Sequence, residues 1–194
     1  MLAGIGFAGF AIDMYGKGRR GTSNEENAAI MQPFLDDRAM LRNRIQAAVK
    51  AVSKHPAVDP KHVAVIGFCF GGLCALDLVR SGMPDVHAAA VFHGLYTPPG
   101  LGPQGPIHAR VLVLHPFDDP MAPPDSVIGL AKELTAAQPD WQIHMYGHTM
   151  HAFTNPAAAA PELGLRYQER SANRAFAAME HFLHEVFGKP GAGV

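Results

Sequence analysis

The sequence predicts an α/β protein built on a mostly parallel sheet with helices on both faces. Two observations carry this. Short apolar runs of strand length alternate with segments of helical periodicity along the whole chain. One such run, Val63-Ala64-Val65-Ile66, leads into Gly67-Phe68-Cys69-Phe70-Gly71-Gly72 and then into a helix-compatible stretch at 73–79, the order strand, sharp turn, helix. The chain has 194 residues, is 48% hydrophobic and carries a formal net charge of −1. That length fits one domain, residues 1–194, with a substantial core.

The elements follow in order. Residues 1–12 carry no charge. They lack the basic start and cleavage site of a signal peptide, and a membrane span needs about 20 apolar residues. Gly6-Phe7-Ala8-Gly9-Phe10-Ala11-Ile12 reads as a buried parallel strand, closed by Asp13-Met14-Tyr15-Gly16. Ser23-Asn24-Glu25-Glu26 fits a capping box that opens a short helix. Pro33 is placed at the start of a longer one. Leu41, Ile45, Ala48 and Val52 recur at helical spacing in that helix.

Past the turn at 67–72, its helix is predicted to stop at Ser81-Gly82. Residues 86–92 and 110–115 are apolar strands, separated by a loop rich in Gly and Pro. Residues 126–137 read as a helix. Trp141-Gln142-Ile143-His144-Met145-Tyr146 alternates apolar and polar, the pattern of a strand nearer the sheet edge. A loop at 147–160 precedes a last helix over 165–187. It presents Phe176, Met179, Leu183 and Val186 on one face and is stopped by Gly188 and Pro190.

Composition excludes several classes. The charge is nearly balanced and the longest basic cluster is Lys17-Gly18-Arg19-Arg20, which gives no footing for nucleic acid or a membrane surface. The two cysteines, Cys69 and Cys74, are spaced for neither a disulfide nor a zinc site, and two free thiols fit the cytoplasm. A thiol redox pair is disfavoured because the spacing is not Cys-x-x-Cys. The Lys-Ser/Thr ending of a phosphate-binding loop is absent after Gly71-Gly72.

In open α/β sheets chemistry gathers at the carboxyl ends of strands. Three such loops are chemically loaded: Cys69, Asp118-Asp119, and His148 with His151. Their order is nucleophile, acid, histidine. A histidine in reach of Cys69 can take its proton, and a carboxylate can fix the imidazole tautomer. Free N–H groups in the first turn after Cys69 can lower the thiol pKa and bind an oxyanion. His144, His148 and His151 have a spacing that zinc could use, but no clustered carboxylate or thiolate supports it. His93, His115, His181 and His184 read as surface or satisfied core histidines.

Gly67-Phe68-Cys69-Phe70-Gly71-Gly72, Leu114-His115-Pro116-Phe117-Asp118-Asp119-Pro120 and His151-Ala152-Phe153-Thr154-Asn155-Pro156 together resemble the dienelactone hydrolase family, as do Asp13-Met14-Tyr15-Gly16 and Tyr146-Gly147. The resemblance covers nearly the whole chain. It implies an α/β-hydrolase fold and a Cys-His-Asp triad that cleaves carboxylic ester or lactone bonds through an acyl-thioester. The nucleophile maps to Cys69, the histidine to His151, and the acid to Asp119, which directly precedes Pro120. Asp118 becomes a solvated loop carboxylate and His148 a neighbour without a role. The backbone N–H of Phe70 becomes an oxyanion donor. No metal or cofactor is called for, and the partner is a small-molecule ester or lactone.

Two departures stand against the family pattern. A full member carries a further N-terminal segment that supplies three strands, the second oxyanion donor and a glutamate near the thiol. The chain thus reads as N-terminally truncated. Either the middle of the sheet is left with a gap or the strand at 6–12 shifts into the vacant slot. Weak activity and self-association through an exposed sheet edge are expected. The alternative is an inactive remnant that persists as a binding or scaffold protein. The second departure is Asn155, where dienelactone enzymes carry an arginine that holds the substrate carboxylate. A neutral ester or lactone is the expectation that follows.

Overall fold

Four strands form a fully parallel sheet whose spatial order equals their order in the chain. The computed structural model describes residues 2–102 and 104–189. The strands are β1 (Ala64–Phe68), β2 (Ala88–Phe92), β3 (Arg110–Pro116) and β4 (Trp141–Tyr146). They pair in the order β1-β2-β3-β4, with Gly67 opposite Val91 and Leu112 opposite Ala90.

The helices are α1 (Asn24–Asp36), α2 (Arg38–Val52), α3 (Phe70–Arg80), α4 (Pro124–Ala137) and α5 (Glu169–Phe187). Side chains alternate across the two inner strands, as period-2 geometry requires. Ala89, Val91, Val111 and Val113 meet the core under α1–α4. Ala88, Ala90, Phe92, Leu112 and Leu114 meet the core under α5. Strands covered on both faces explain why their sequences read as unbroken apolar runs.

Ser23 caps α1, its hydroxyl accepting from Glu26 N–H at 3.2 Å, while Glu26 accepts from the Thr22 N–H and hydroxyl at 2.7 Å. Pro33 lies inside α1 and does not open the next helix. That role falls to Asp37, whose carboxylate accepts from Met40 N–H at 2.8 Å. The buried stripe of α2 is Leu41, Ile45 and Val49, with Ala48 and Val52 half-buried at its flank. The last helix starts at Glu169, because Leu165–Arg166 is spent on a short antiparallel strand, β6, paired with β5 (Ala159–Ala160). Met179 and Leu183 are buried on α5, and Phe176 and Val186 half-buried. Pro190 lies outside the described residues.

One buried network holds α2, α3 and α4 together. Arg38 donates to both oxygens of Asp77 at 2.7 Å, and Arg80 donates to Glu133 at 2.7 and 2.8 Å and to the Tyr96 carbonyl at 2.9 Å.

The run at 6–12 forms no strand. It is irregular and mostly exposed, with Phe10 64% accessible. Leu2, Ile5 and Phe7 pack on the α5 side and Met14 and Tyr15 on the other, so this stretch carries the chain from one face of the sheet to the other. A backbone making that crossing cannot also lie in register along a neighbouring strand, so its apolar composition has no ladder to join. The described sheet therefore has no gap inside it; it ends at β1.

Candidate functional site

β1 delivers Cys69 to the carboxyl edge of the sheet, and the backbone there is forced. Cys69 has φ 53° and ψ −117°, a conformation that L-residues rarely hold. The turn is pinned from both sides. Cys69 N–H donates to the Phe92 carbonyl at 3.1 Å, and the Cys69 carbonyl accepts from Gly72 and Leu73 N–H at 2.9 and 3.2 Å. A Cβ at Gly67 would fall on the Gly71 carbonyl, and one at Gly72 would come within 2.8 Å of Gly94 Cα. Those two glycines are what let strand, turn and helix pack this closely. Phe70, the first residue of α3, carries one of the four amides that a helix start leaves without an intrahelical acceptor.

Asp119 and His151 arrive from the loops after β3 and β4. His151 Nδ1 lies 2.7 Å from Asp119 Oδ2, and both residues are 2% exposed. The other carboxylate oxygen accepts from Met121 N–H at 2.8 Å, so the carboxylate is clamped. The His151 carbonyl accepts from Arg166 N–H at 3.2 Å and the Phe153 carbonyl from Gln168 N–H at 3.0 Å, which ties the histidine loop to the chain entering α5. Burial disfavours charge on His151. The hydrogen bond to Asp119, with the approach of Cys69 and the Asp119 charge, outweighs it and raises the imidazole to about 9. Its Nε2 is buried and within hydrogen-bonding geometry of no partner at rest, so the contribution of Cys69 is one of approach, not of a formed bond.

Cys69, His93 and His151 line a cavity of about 590 Å³. Asp118 is exposed, its N–H donating to the Thr149 carbonyl, and His148 is exposed at φ 56°. Neither joins the site. Among the described residues no group of three or more His, Cys, Asp or Glu is arranged to hold a metal ion, so His144, His148 and His151 do not converge. No described helix is long and apolar enough to cross a membrane.

Two histidines read from sequence as surface or satisfied core histidines are core residues, each with one ring nitrogen left without a partner. His93 is 3% exposed at φ 37°, with Nε2 2.9 Å from Thr154 Oγ1 and Nδ1 buried without a partner. Its ring meets His151 edge-on, centroids 4.8 Å apart. Burial, and then repulsion from His151, push it down to about 3. His115 is bonded through Nδ1 to the Tyr96 hydroxyl at 2.8 Å and leaves Nε2 unpaired; burial lowers it to about 4. His93 has one signal in the sequence: it directly follows an apolar strand, the same carboxyl-end placement that marks Cys69, Asp118-Asp119 and His148 with His151.

Comparison with known proteins agrees with this architecture. Residues 1–187 match the family model described as the dienelactone hydrolase family. An uncharacterised protein of Caenorhabditis elegans is 32% identical over 155 residues, 78% of this chain and 98% of that one. A crystal structure described as a dienelactone hydrolase-like promiscuous phosphotriesterase, P91, from metagenomic libraries is 35% identical. It superposes with a TM-score of 0.83 over 90% of this chain and 73% of its own. A structure described as m3DLH is 38% identical, with a TM-score of 0.85 over 96% of this chain and 78% of its own. Alignments with relatives from Aquifex aeolicus and Bradyrhizobium span 66% and 64% of those proteins.

Proposed function

The chain belongs to the dienelactone hydrolase family, and on that premise we propose that it cleaves a carboxylic ester or lactone bond with Cys69 as nucleophile, His151 as base and Asp119 as its orienter. One observation carries the reading. Cys69 sits on a strained turn in the same cavity as His151, whose Nδ1 is held by Asp119 and whose Nε2 is left without a partner. An imidazole anchored on one nitrogen and open on the other is prepared to take one proton.

The steps are those of acyl transfer. Cys69 first gives its proton to His151 Nε2, an imidazole raised to about 9, and the thiolate then bonds to the ester carbonyl carbon. The Phe70 N–H donates to the oxyanion. The carbon–oxygen ester bond breaks, the leaving alkoxide takes the proton from His151, and an acyl-thioester remains on Cys69. Water then gives a proton to His151 and bonds to the acyl carbon. The carbon–sulfur bond breaks with its electron pair going to Cys69 Sγ, which restores the thiolate beside protonated His151, and the carboxylic acid departs. With Phe70 as the single assigned oxyanion donor, turnover is expected to fall about 10²–10³ below that of a two-donor site.

The test is p-nitrophenyl acetate hydrolysis by wild type, Cys69→Ala and Cys74→Ala, with intact mass spectrometry after rapid acid quench. The reading requires loss with Cys69→Ala alone and a transient acetyl adduct on Cys69. Equal losses in both variants point to thiol redox chemistry, and no turnover in any points to a remnant that binds without catalysis. A second reading is phosphotriester cleavage by the same thiol. It is favoured by the likeness to the P91 phosphotriesterase and by a cavity with no Lys, Arg, Asp or Glu among its described lining residues. Paraoxon turnover in the same three proteins tests it.

A further inference from the structure

The wall of the Cys69 cavity is mostly apolar, built from Phe68, Met121, Ala152, Pro156, Leu165 and Phe176, with the uncharged polar Thr154 and Asn155 beside them. Among the described residues that line it, none is Lys, Arg, Asp or Glu. Its ionisable side chains are those of Cys69, His93 and His151. In the mechanism above Cys69 and His151 exchange one proton between themselves, so their charges cancel. His93 is therefore the one remaining group able to face a charge on a bound molecule.

The surroundings of His93 prevent that. Its Nε2 is engaged with Thr154 Oγ1 at 2.9 Å, and its Nδ1 is buried without an acceptor. A second ring proton would be an unsatisfied buried N–H beside the imidazole of His151, 4.8 Å away. A single proton on Nε2, donated to Thr154, leaves only a lone pair unpaired. His93 thus stands as a neutral, polar block at the cavity wall, with its one donor already spent. A carboxylate entering this space would shed its water and meet no cation in exchange. An apolar chain would cover Phe68, Met121 and Phe176, which are 40%, 48% and half-exposed in the open cavity.

We infer that the cavity selects esters whose acyl group is uncharged and apolar, and rejects those whose acyl group ends in a carboxylate. This rests on the hydrolase reading above and names its substrate class.

The test uses two esters of equal chain length, p-nitrophenyl hexanoate and mono-p-nitrophenyl adipate, which differ by one terminal carboxylate. Wild type should favour the hexanoate by about 10²-fold in kcat/KM at low salt. Met121→Lys, which brings a cation to the rim, should narrow that ratio about tenfold, and added salt should restore part of it. Met121→Gln should not narrow it. Equal or faster hydrolysis of the adipate ester overturns the inference, as does a ratio indifferent to Met121→Lys. Hydrolysis of both esters that survives in Cys69→Ala overturns Cys69 as the nucleophile instead. Calorimetric binding of both esters to Cys69→Ala reads the selectivity without turnover: tighter hexanoate binding supports the inference, and equal or tighter adipate binding refutes it even if the chain is inactive.

Discussion

Cys69 and Cys74 stand five residues apart on one turn and helix, yet their surroundings share almost nothing. Cys69 is partly exposed, sits at φ 53° and opens onto a cavity that also holds His151. Cys74 is buried in regular helix against the core, where burial, and then the Asp77 carboxylate, push its thiol up to about 12. Thiol reactivity follows the environment that sets the thiolate fraction. One turn of helix is enough to move a thiol from the chemical edge of the sheet into the packing behind it.

The strongest way to break this contrast is to delete each sulfur in turn. Cys69→Ala should lower ester kcat/KM by at least about 10³-fold, while Cys74→Ala stays within about threefold. Parallel losses would mean that the cavity does not isolate one thiol. Gly67→Ala attacks the geometry and leaves both sulfurs in place. Its Cβ would collide with the Gly71 carbonyl, so the turn must open. A loss of about 2–4 kcal/mol in urea unfolding is expected, together with most of the activity. The same substitution at Gly129, where an added Cβ meets nothing, should cost neither.

Asp119→Asn sharpens the contrast from the base side. The amide can no longer hold the charged ring, and kcat should fall about 10²–10⁴-fold. His151 in the wild type should titrate near 9 by NMR, and lower in both Asp119→Asn and Cys69→Ala. Cys74→Ala should leave that titration in place. The folded value lies above the ordinary one near 6.5. Its stabilising effect is therefore complete below about pH 6.5 and is lost as pH rises through 9, on the order of 3 kcal/mol in all. A wild type that gained stability across that window relative to Asp119→Asn would reverse the sign.

Much of this site was legible because local sequence dictates it. Gly67-x-Cys69-x-Gly71 specifies a turn that few residues can make, the strand-end rule draws Asp118-Asp119 and His148 with His151 from their loops, and the family resemblance selects Asp119 and His151 among them. The choice of Asp119 over Asp118 matches the geometry, one carboxylate clamped and the other in solvent. The run at 6–12 was misread because β-type composition needs a partner strand, and pairing is a property of the whole sheet. Pro33 is not the helix start because it sits in the body of α1 and Asp37 caps the helix that follows. His93 shares the strand-end position of the loaded loops, but its edge-on contact with His151 and its bond to Thr154 have no signature in the sequence.

The smallest predicted effect decides whether the two thiols are separate. Cys74 packs in the main core with 5% of its surface exposed, and Ala in its place removes one sulfur and leaves a small void. The expected cost is about 1 kcal/mol, read from urea midpoints. The same variant should keep the wild-type pH–rate profile, since Cys74 holds its proton across the assay range and faces the Arg38–Asp77 network, not the cavity. Iodoacetamide should modify Cys69 in the folded protein and reach Cys74 only at the rate of unfolding. A pH–rate profile that shifts in Cys74→Ala, with stability nearly unchanged, would show that the buried thiol is electrostatically coupled to the nucleophile through the first turns of α3. The core behind the turn would then be tuning the chemistry as well as supporting it.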